Sequence, residues 1–151
     1  MSECIRDALP GDLDALEGLE ASCFSVPWTR EQLLGQLPDA NHEFLVAEID
    51  GIVTGYIGMM CVLDEGYISN VAVSAAHRRR GIGRVLVSEM LNRALKRDLR
   101  FVTLEVREHN EGAIALYTDA GFCLVGRRKN YYERPREDAL LMTKTFNKEE
   151  K

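Results

Sequence analysis

Ile68-Ser69-Asn70-Val71-Ala72-Val73, followed after four residues by Arg78-Arg79-Arg80-Gly81-Ile82-Gly83-Arg84, is the stretch that decides the fold. Its first part is rich in β-branched residues, and Tyr67–Val73 reads as a strand. Its second part opens a long amphipathic helix, with Ile82, Val85, Leu86, Met90, Ala94 and Leu95 along the apolar stripe. A strand that turns through glycines into a helix start is suited to an anion. Glycine lets backbone approach a ligand closely, and the first helical turn offers unpaired N–H groups. Those donors and the helix dipole suit a pyrophosphate. The flanking arginines supply forked hydrogen bonds to further phosphate oxygens. The plain alternative is a basic, glycine-started surface helix.

Working outward, the upstream chain begins with a short strand at Ile5–Ala8. A helix follows with Leu13, Leu16, Leu19 and Cys23 on one face. Thr29 caps a second helix through about Leu37, and Thr29-Arg30-Glu31-Gln32 has the capping-box pattern. Phe44–Ile49 and Ile52–Leu63 are strands joined by the hairpin signal Asp50-Gly51, and Asp64-Glu65-Gly66 turns into the strand ending at Val73. Downstream, Phe101–Val106 is a strand and Glu111–Ala120 a helix with Gly121 as its C-terminal cap. Strands at Cys123–Arg128 and Ala139–Thr145 complete the order β-α-α-β-β-β-α-β-α-β-β. That order is neither an alternating dinucleotide-binding series nor a sandwich. It implies an α/β fold with a mixed, mostly antiparallel sheet and helices on both faces.

Two familiar glycine loops are excluded. No Lys-Ser or Lys-Thr follows Gly83, as a Walker loop needs, and Leu86 stands where the dinucleotide fingerprint needs a small residue. The 151 residues suit one domain with a core of about 5–145, and 28% charged residues suit an ordinary globular protein. No apolar run approaches the roughly 18 residues of a membrane span. The polar start Met1–Asp7 is no signal peptide, so a cytoplasmic location is expected. Cys4, Cys23, Cys61 and Cys123 form no close pair and read as small buried apolar residues, while His42, His77 and His109 do not cluster as metal ligands. No metal is expected. The net charge of -5 argues against a nucleic-acid surface and suits a cationic partner.

Arg78-x-x-Gly81-x-Gly83 resembles the R/Q-x-x-G-x-G/A signature of the GNAT superfamily of N-acetyltransferases, and Ile68–Val73 is similar to the strand before it. The resemblance implies the fold just derived and acetyl-CoA as co-substrate. It implies the backbone of Val71, Ala72 and Val73 as contacts of the pantetheine arm. Arg79, Arg80, Gly81, Ile82, Gly83 and Arg84 would then hold the pyrophosphate.

Moving an acetyl group from a thioester to an amine sets three needs. The amine must lose its proton, since an α-amino group has a pKa of about 7.7–8.0. The carbonyl oxygen that gains negative charge needs a donor. The departing thiolate is helped by an acid. Glu105 in Phe101-Val102-Thr103-Leu104-Glu105-Val106 is the candidate base, on the strand face of Phe101 and Thr103. A carboxylate near the end of a core strand costs free energy unless it has a partner or a task. Its plain alternatives are a solvent-facing glutamate or a buried ion pair. Tyr117, seven residues after the helix-starting Asn110 and two turns along the same face, is the candidate acid. Its plain alternative is a core tyrosine with the hydroxyl at the rim.

The segment from Leu104 to Tyr117 resembles L-E-V-R-x-x-N-x-x-A-I-x-L-Y of the RimI branch, the bacterial ribosomal-protein-alanine N-acetyltransferases. Phe24-x-x-Pro27-Trp28, Arg128-Lys129-Asn130-Tyr131-Tyr132 and Arg136-Glu137-Asp138-Ala139 are similar to the same branch. The likeness runs from about Ile5 to Thr145. It implies Glu105 as proton acceptor, Asn110 as cofactor contact and Tyr117 as proton donor. The implied acceptor is the N-terminal alanine of a small-subunit ribosomal protein. Glu133-Arg134-Pro135 departs from the branch's usual loop. Two other functions fit the same motifs: acetylation of a small amine such as a polyamine or aminoglycoside, and non-catalytic binding of acetyl-CoA. A basic chain end would be drawn to an acidic groove, expected from Asp64, Glu65, Glu108 and Asp138 near the site. Trp28 is either a packing anchor or a wall of that groove.

Overall fold

The computed structural model describes residues 3–146; Asn147-Lys148-Glu149-Glu150-Lys151, whose sequence reads as a solvated tail, lie outside the described residues. Seven strands form a single sheet in the order β1-β2-β3-β4-β5-β7-β6. They are β1 (Glu3–Asp7), β2 (His42–Ile49), β3 (Ile52–Val62), β4 (Glu65–Val73), β5 (Phe101–Arg107), β6 (Cys123–Glu133) and β7 (Arg136–Thr145). Only β4 and β5 are parallel, because α3 (Ile82–Lys96) crosses between them; the other neighbours are antiparallel. The mixed, mostly antiparallel sheet expected from the element order is therefore present.

Strand alternation feeds two separate cores. Leu45, Ala47 and Ile49 of β2 face α3 and α4 (Glu111–Asp119), where Leu86, Val87, Met90 and Tyr117 are buried. Phe44 and Val46, one residue out of step, face α1 (Leu13–Cys23) and α2 (Arg30–Gln36), where Leu16 and Leu33 are fully buried. Helices thus cover both faces. The α2 start follows its sequence: Thr29 Oγ1 accepts from the Gln32 N–H at 3.2 Å and Gln32 Oε1 accepts from the Thr29 N–H at 2.9 Å. The Asp50-Gly51 turn has φ of +50° and +83°, the left-handed pair that a two-residue hairpin needs. Gly121, with φ +98°, ends α4.

Three expectations need correction. On α3, Val85 and Leu95 are 39% and 44% exposed, while Val87 is fully buried, because the stripe that meets the sheet runs Ile82-Leu86-Val87-Met90-Ala94. Of the cysteines only Cys61 is buried; Cys23 is half-buried, and Cys4 and Cys123 are exposed. β6 and β7 are also longer than their apolar residues suggest, meeting at Arg134-Pro135. β6 is an edge strand exposed along most of its length, so no buried face imposes alternation on its sequence. Among the described residues no helix is long and apolar enough to cross a membrane.

Behind the middle of the sheet, β3 and β4 approach closely at Gly55. A Cβ there would lie 2.8 Å from the Ala72 carbonyl oxygen, a backbone atom that cannot swing aside. Gly55→Ala is therefore expected to destabilise the fold by about 1–3 kcal/mol, read as a lower urea midpoint at unchanged slope. An unchanged midpoint would show that β4 can shift freely at Ala72.

Candidate active site

β4 and β5 pair at Glu65–Phe101, Gly66–Val102 and Tyr67–Thr103, and the described residues pair no further along these two strands. β4 instead stays with β3, its register shifted between Gly58 and Met59 so that Ser69 is left over. β5 stays with β7 along its whole length. The two strands part like a wedge and leave a cleft of about 630 Å³. Asn70 and Val71 line it from β4, Glu105 and Arg107 from β5, and Asn110 and Tyr117 from the start and body of α4.

The sequence candidates divide around this cleft. Glu105, Asn110, Tyr117 and Val71 converge on it. Ala72 is 5% exposed and faces the α1–α2 core. The Val73 carbonyl accepts from Arg78 Nε at 3.2 Å and from Cys23 Sγ at 3.6 Å, so this end of β4 is tied to α1. The glycine loop lies immediately beyond. Arg79 has φ +66° and Gly81, the N-cap of α3, has φ +79°. Those left-handed residues turn the chain so that the first turn of α3 follows directly from the splayed strand. Arg79 and Arg80 are exposed, Ile82 is buried in the core, and Arg84 lies 3.7 Å from Asp119. A Cβ on Gly83 would touch Leu116 of α4 at 3.4 Å. A single methyl would fit there in ordinary contact, while a larger side chain would have to displace Leu116.

Glu105 carries the electrostatics of the cleft. Its side chain is 7% exposed, and Oε2 lies 3.2 Å from Arg128 Nε. Oε1 is buried and, among the described residues, has no hydrogen-bond partner. A buried carboxylate oxygen left unpaired is costly. Three phenols surround the region. Burial pushes Tyr117 up to about 12, and its ring rests on Phe122 with centroids 5.8 Å apart. Burial, then the negative charge of Glu105, does the same to Tyr132. Tyr131 is raised by burial and then by Glu105. All three phenols keep their protons at neutral pH, so each can donate.

Sequence reasoning missed the roof. Arg107 donates to the Pro135 carbonyl at 2.9 Å, pairs with Glu137 at 3.1 Å and stacks its guanidinium 4.2 Å from the Tyr132 ring centre. Ser25, between α1 and α2, donates to the Arg134 carbonyl. The β6–β7 turn is thereby held across the cleft towards the α1–α2 turn. The expected acidic groove is not formed. Asp64 and Glu65 pair with Arg100 at 3.4 Å, at the joined end of β4 and β5. Glu108 and Asp138 are both taken by Arg127. Opposite charges close by have claimed all four carboxylates, and none of them lines the cleft. Trp28 does both things expected of it, packing against the α1–α2 core and lining the cleft. Among the described residues, no group of three or more His, Cys, Asp and Glu is placed to hold a metal ion.

The structure thus holds a parted parallel pair that runs into a glycine-turned helix start, with a carboxylate and a phenol in the gap. Residues 13–122 match the family model described as the acetyltransferase (GNAT) family. The chain belongs to that family and is an N-acetyltransferase. The [ribosomal protein bS18]-alanine N-acetyltransferase of Escherichia coli (strain K12) is 32% identical over 133 residues, covering 87% of this chain and 89% of the relative. A relative from Bacillus subtilis (strain 168), provisionally named for the same reaction, is 35% identical over 144 residues, 95% of each chain. The crystal structure of the Escherichia coli ribosomal-protein-S18-alanine N-acetyltransferase superposes with a TM-score of 0.89 at 29% identity, over 95% of this chain and 94% of that one.

The Tyr117 ring is held in the core against Phe122, a contact that does not use its hydroxyl oxygen. Removing only that oxygen should leave the fold intact. Tyr117→Phe is expected to change unfolding free energy by less than about 1 kcal/mol in urea titration. A loss of several kcal/mol would make the hydroxyl a structural group.

Proposed function

We propose that this chain acetylates the N-terminal alanine of a small-subunit ribosomal protein, using acetyl-CoA, by direct attack of the amine on the thioester. The observation that carries the chemistry is the unpaired, buried Oε1 of Glu105, in one cleft with the Tyr117 phenol. The acceptor rests on the likeness to relatives named for bS18 alanine. That substrate would place the reaction in the cytoplasm, and the chain would work as one acetyltransferase domain.

The residues present fit acetyl-CoA. The β4 edge beyond Tyr67 faces a gap that β5 does not fill, so the backbone of Val71, Ala72 and Val73 is where a pantetheine arm would lie. Asn110 stands at the same gap. Arg79, Arg80, Gly81, Ile82, Gly83 and Arg84, at the start of the 15-residue α3, would hold the pyrophosphate. Acetyl-CoA supplies an acetyl group already activated as a thioester. Glu105 takes the proton that the acceptor ammonium must lose, directly or through water. Arg128 fixes one of its oxygens and leaves the other to face the amine. Tyr117 returns a proton where the sulfur departs, and its buried phenol, held at about 12, is protonated when needed.

Glu105→Gln keeps the shape of the side chain and cannot accept the proton. We expect kcat to fall by a factor on the order of 10²–10⁴, with acetyl-CoA affinity by calorimetry little changed. The deficit should shrink as pH rises past about 8, where free amine becomes abundant. A pH–rate profile parallel to that of the wild type would remove Glu105 from this role.

The acceptor is tested separately, by following thiol release with competing amines. A peptide beginning with alanine should give kcat/KM at least about tenfold above spermidine, since a chain end can use the Trp28 and Tyr131 walls that a bare polyamine cannot. Equal values would reject the ribosomal acceptor and leave acetyl transfer standing.

A further inference from the structure

Glu20 is 1% exposed, and among the described residues no ion pair reaches it. It stands four residues after Leu16 on α1, on the face turned to the sheet. Three neutral donors converge on its carboxylate. The Trp28 N–H reaches Oε1 at 2.6 Å, Asn70 Nδ2 reaches Oε2 at 2.9 Å, and the Tyr56 hydroxyl donates to the same Oε2. Asn70 Nδ2 also lies 3.1 Å from the Tyr56 hydroxyl. Burial raises the carboxyl above its ordinary range, and the bonds from Trp28 and Asn70 act against that rise.

Stability alone would favour an apolar side chain at this place, because a lone buried carboxylate is expensive even when hydrogen-bonded. What the carboxylate adds is a connection. Trp28 lies in the turn before α2, and Asn70 follows Ser69 at the register shift of β4. The Trp28 backbone lies outside any strand or helix, whereas the Asn70 backbone is paired with Gly58 of β3 and Glu20 holds its side chain, so the bond anchors a free turn to a fixed strand. Both side chains line the cleft that holds Glu105.

We propose that Glu20 is a positioning residue for the acceptor amine: it ties the Trp28 turn to Asn70 and so fixes the acceptor-side wall of the cleft. It touches no reacting atom and acts through those two residues. The proposal rests on the acetyl-transfer reading given above.

Glu20→Gln places an amide N–H where donors now converge, and so breaks the tie at nearly constant volume. The KM for the alanine-first peptide should rise about tenfold, with kcat within about threefold and the acetyl-CoA dissociation constant within about twofold of wild type. A lower kcat at unchanged KM would overturn the proposal, as would acetyl-CoA affinity weakening in step with KM. If Glu20→Gln does not fold, Tyr56→Phe carries the test. It removes one donor and keeps the ring, whose centroid is 5.1 Å from that of Phe44. It should raise the peptide KM by about two- to fourfold, and no rise would overturn the proposal. Wild-type enzyme that turns over no peptide would count against the ribosomal acceptor instead. The Glu20 claim is then read from Trp28, the single tryptophan of the chain. Its emission should move to longer wavelength in Glu20→Gln as the freed turn admits water, and an unmoved emission would overturn the tie.

Discussion

β4 and β5 are joined at Glu65–Tyr67 and Phe101–Thr103 and then separate, and the rest of the site follows from that parting. Two central strands that stop pairing leave backbone donors and acceptors facing each other across a gap in the middle of a sheet. Such groups must find partners, and in this cleft a ligand can be one. The wedge holds because each strand is kept straight from its other side. β3 holds β4 through eight residue pairs, and β7 holds β5 through seven. α4 fills the angle behind, with Tyr117 buried against Phe122. The connection between the parted strands is α3, so the opening of the wedge and the start of that helix lie at the same end of β4. The two places proposed above for the cofactor's arm and its phosphates would thus be two consequences of one crossover.

The same geometry explains where charge is and is not tolerated. At the joined end, Asp64 and Glu65 meet Arg100 in ordinary exposed pairs, which contribute little. At the open end, Glu105 is nearly buried and has a single cationic contact, to a half-exposed Arg128. Arg107 is spent on the roof, bonding Pro135 and Glu137 and stacking on Tyr132. The roof therefore draws positive charge away from the free oxygen of Glu105, and the phenols nearby stay neutral.

Much of this was legible in the sequence, for reasons that differ residue by residue. The capping box at Thr29, the Asp50-Gly51 turn and Gly121 are local signals, and the structure keeps each one. Glu105, Asn110 and Tyr117, singled out in the sequence, line one cleft, since the end of β5 leads directly into the helix that carries the other two. β6 was read short because both its faces are exposed, so nothing constrains its pattern. The acidic groove failed because a count of carboxylates does not say which arginine stands beside each. Arg100 reaches back 35 residues to Glu65, and Arg127 meets Glu108 and Asp138 once β6 folds beside β7. Arg107 and Arg128 were missed as parts of the site for the same reason. Glu20 did leave a trace, a carboxylate on the apolar stripe of α1 between Leu16 and Cys23, but its donors come from three other elements.

Glu20 and Glu105 are two low-exposure carboxylates near opposite walls of one cleft, and their hydrogen bonds separate their tasks. Both oxygens of Glu20 are occupied by neutral donors. To take a proton it would have to give up part of that network, so its negative charge is useful as an acceptor of bonds, holding backbone in place. Glu105 has one oxygen on Arg128 and one with no partner among the described residues. The ion pair to Arg128 holds the carboxylate in place while Oε1 faces no partner. A buried carboxylate oxygen left incomplete beside a cleft calls for an explanation, and the proposed acetyl transfer supplies one for Glu105. In this chain the strand that carries the incomplete one is the strand that leaves its parallel neighbour. The gap in the sheet and the gap in the hydrogen bonding therefore open on the same space.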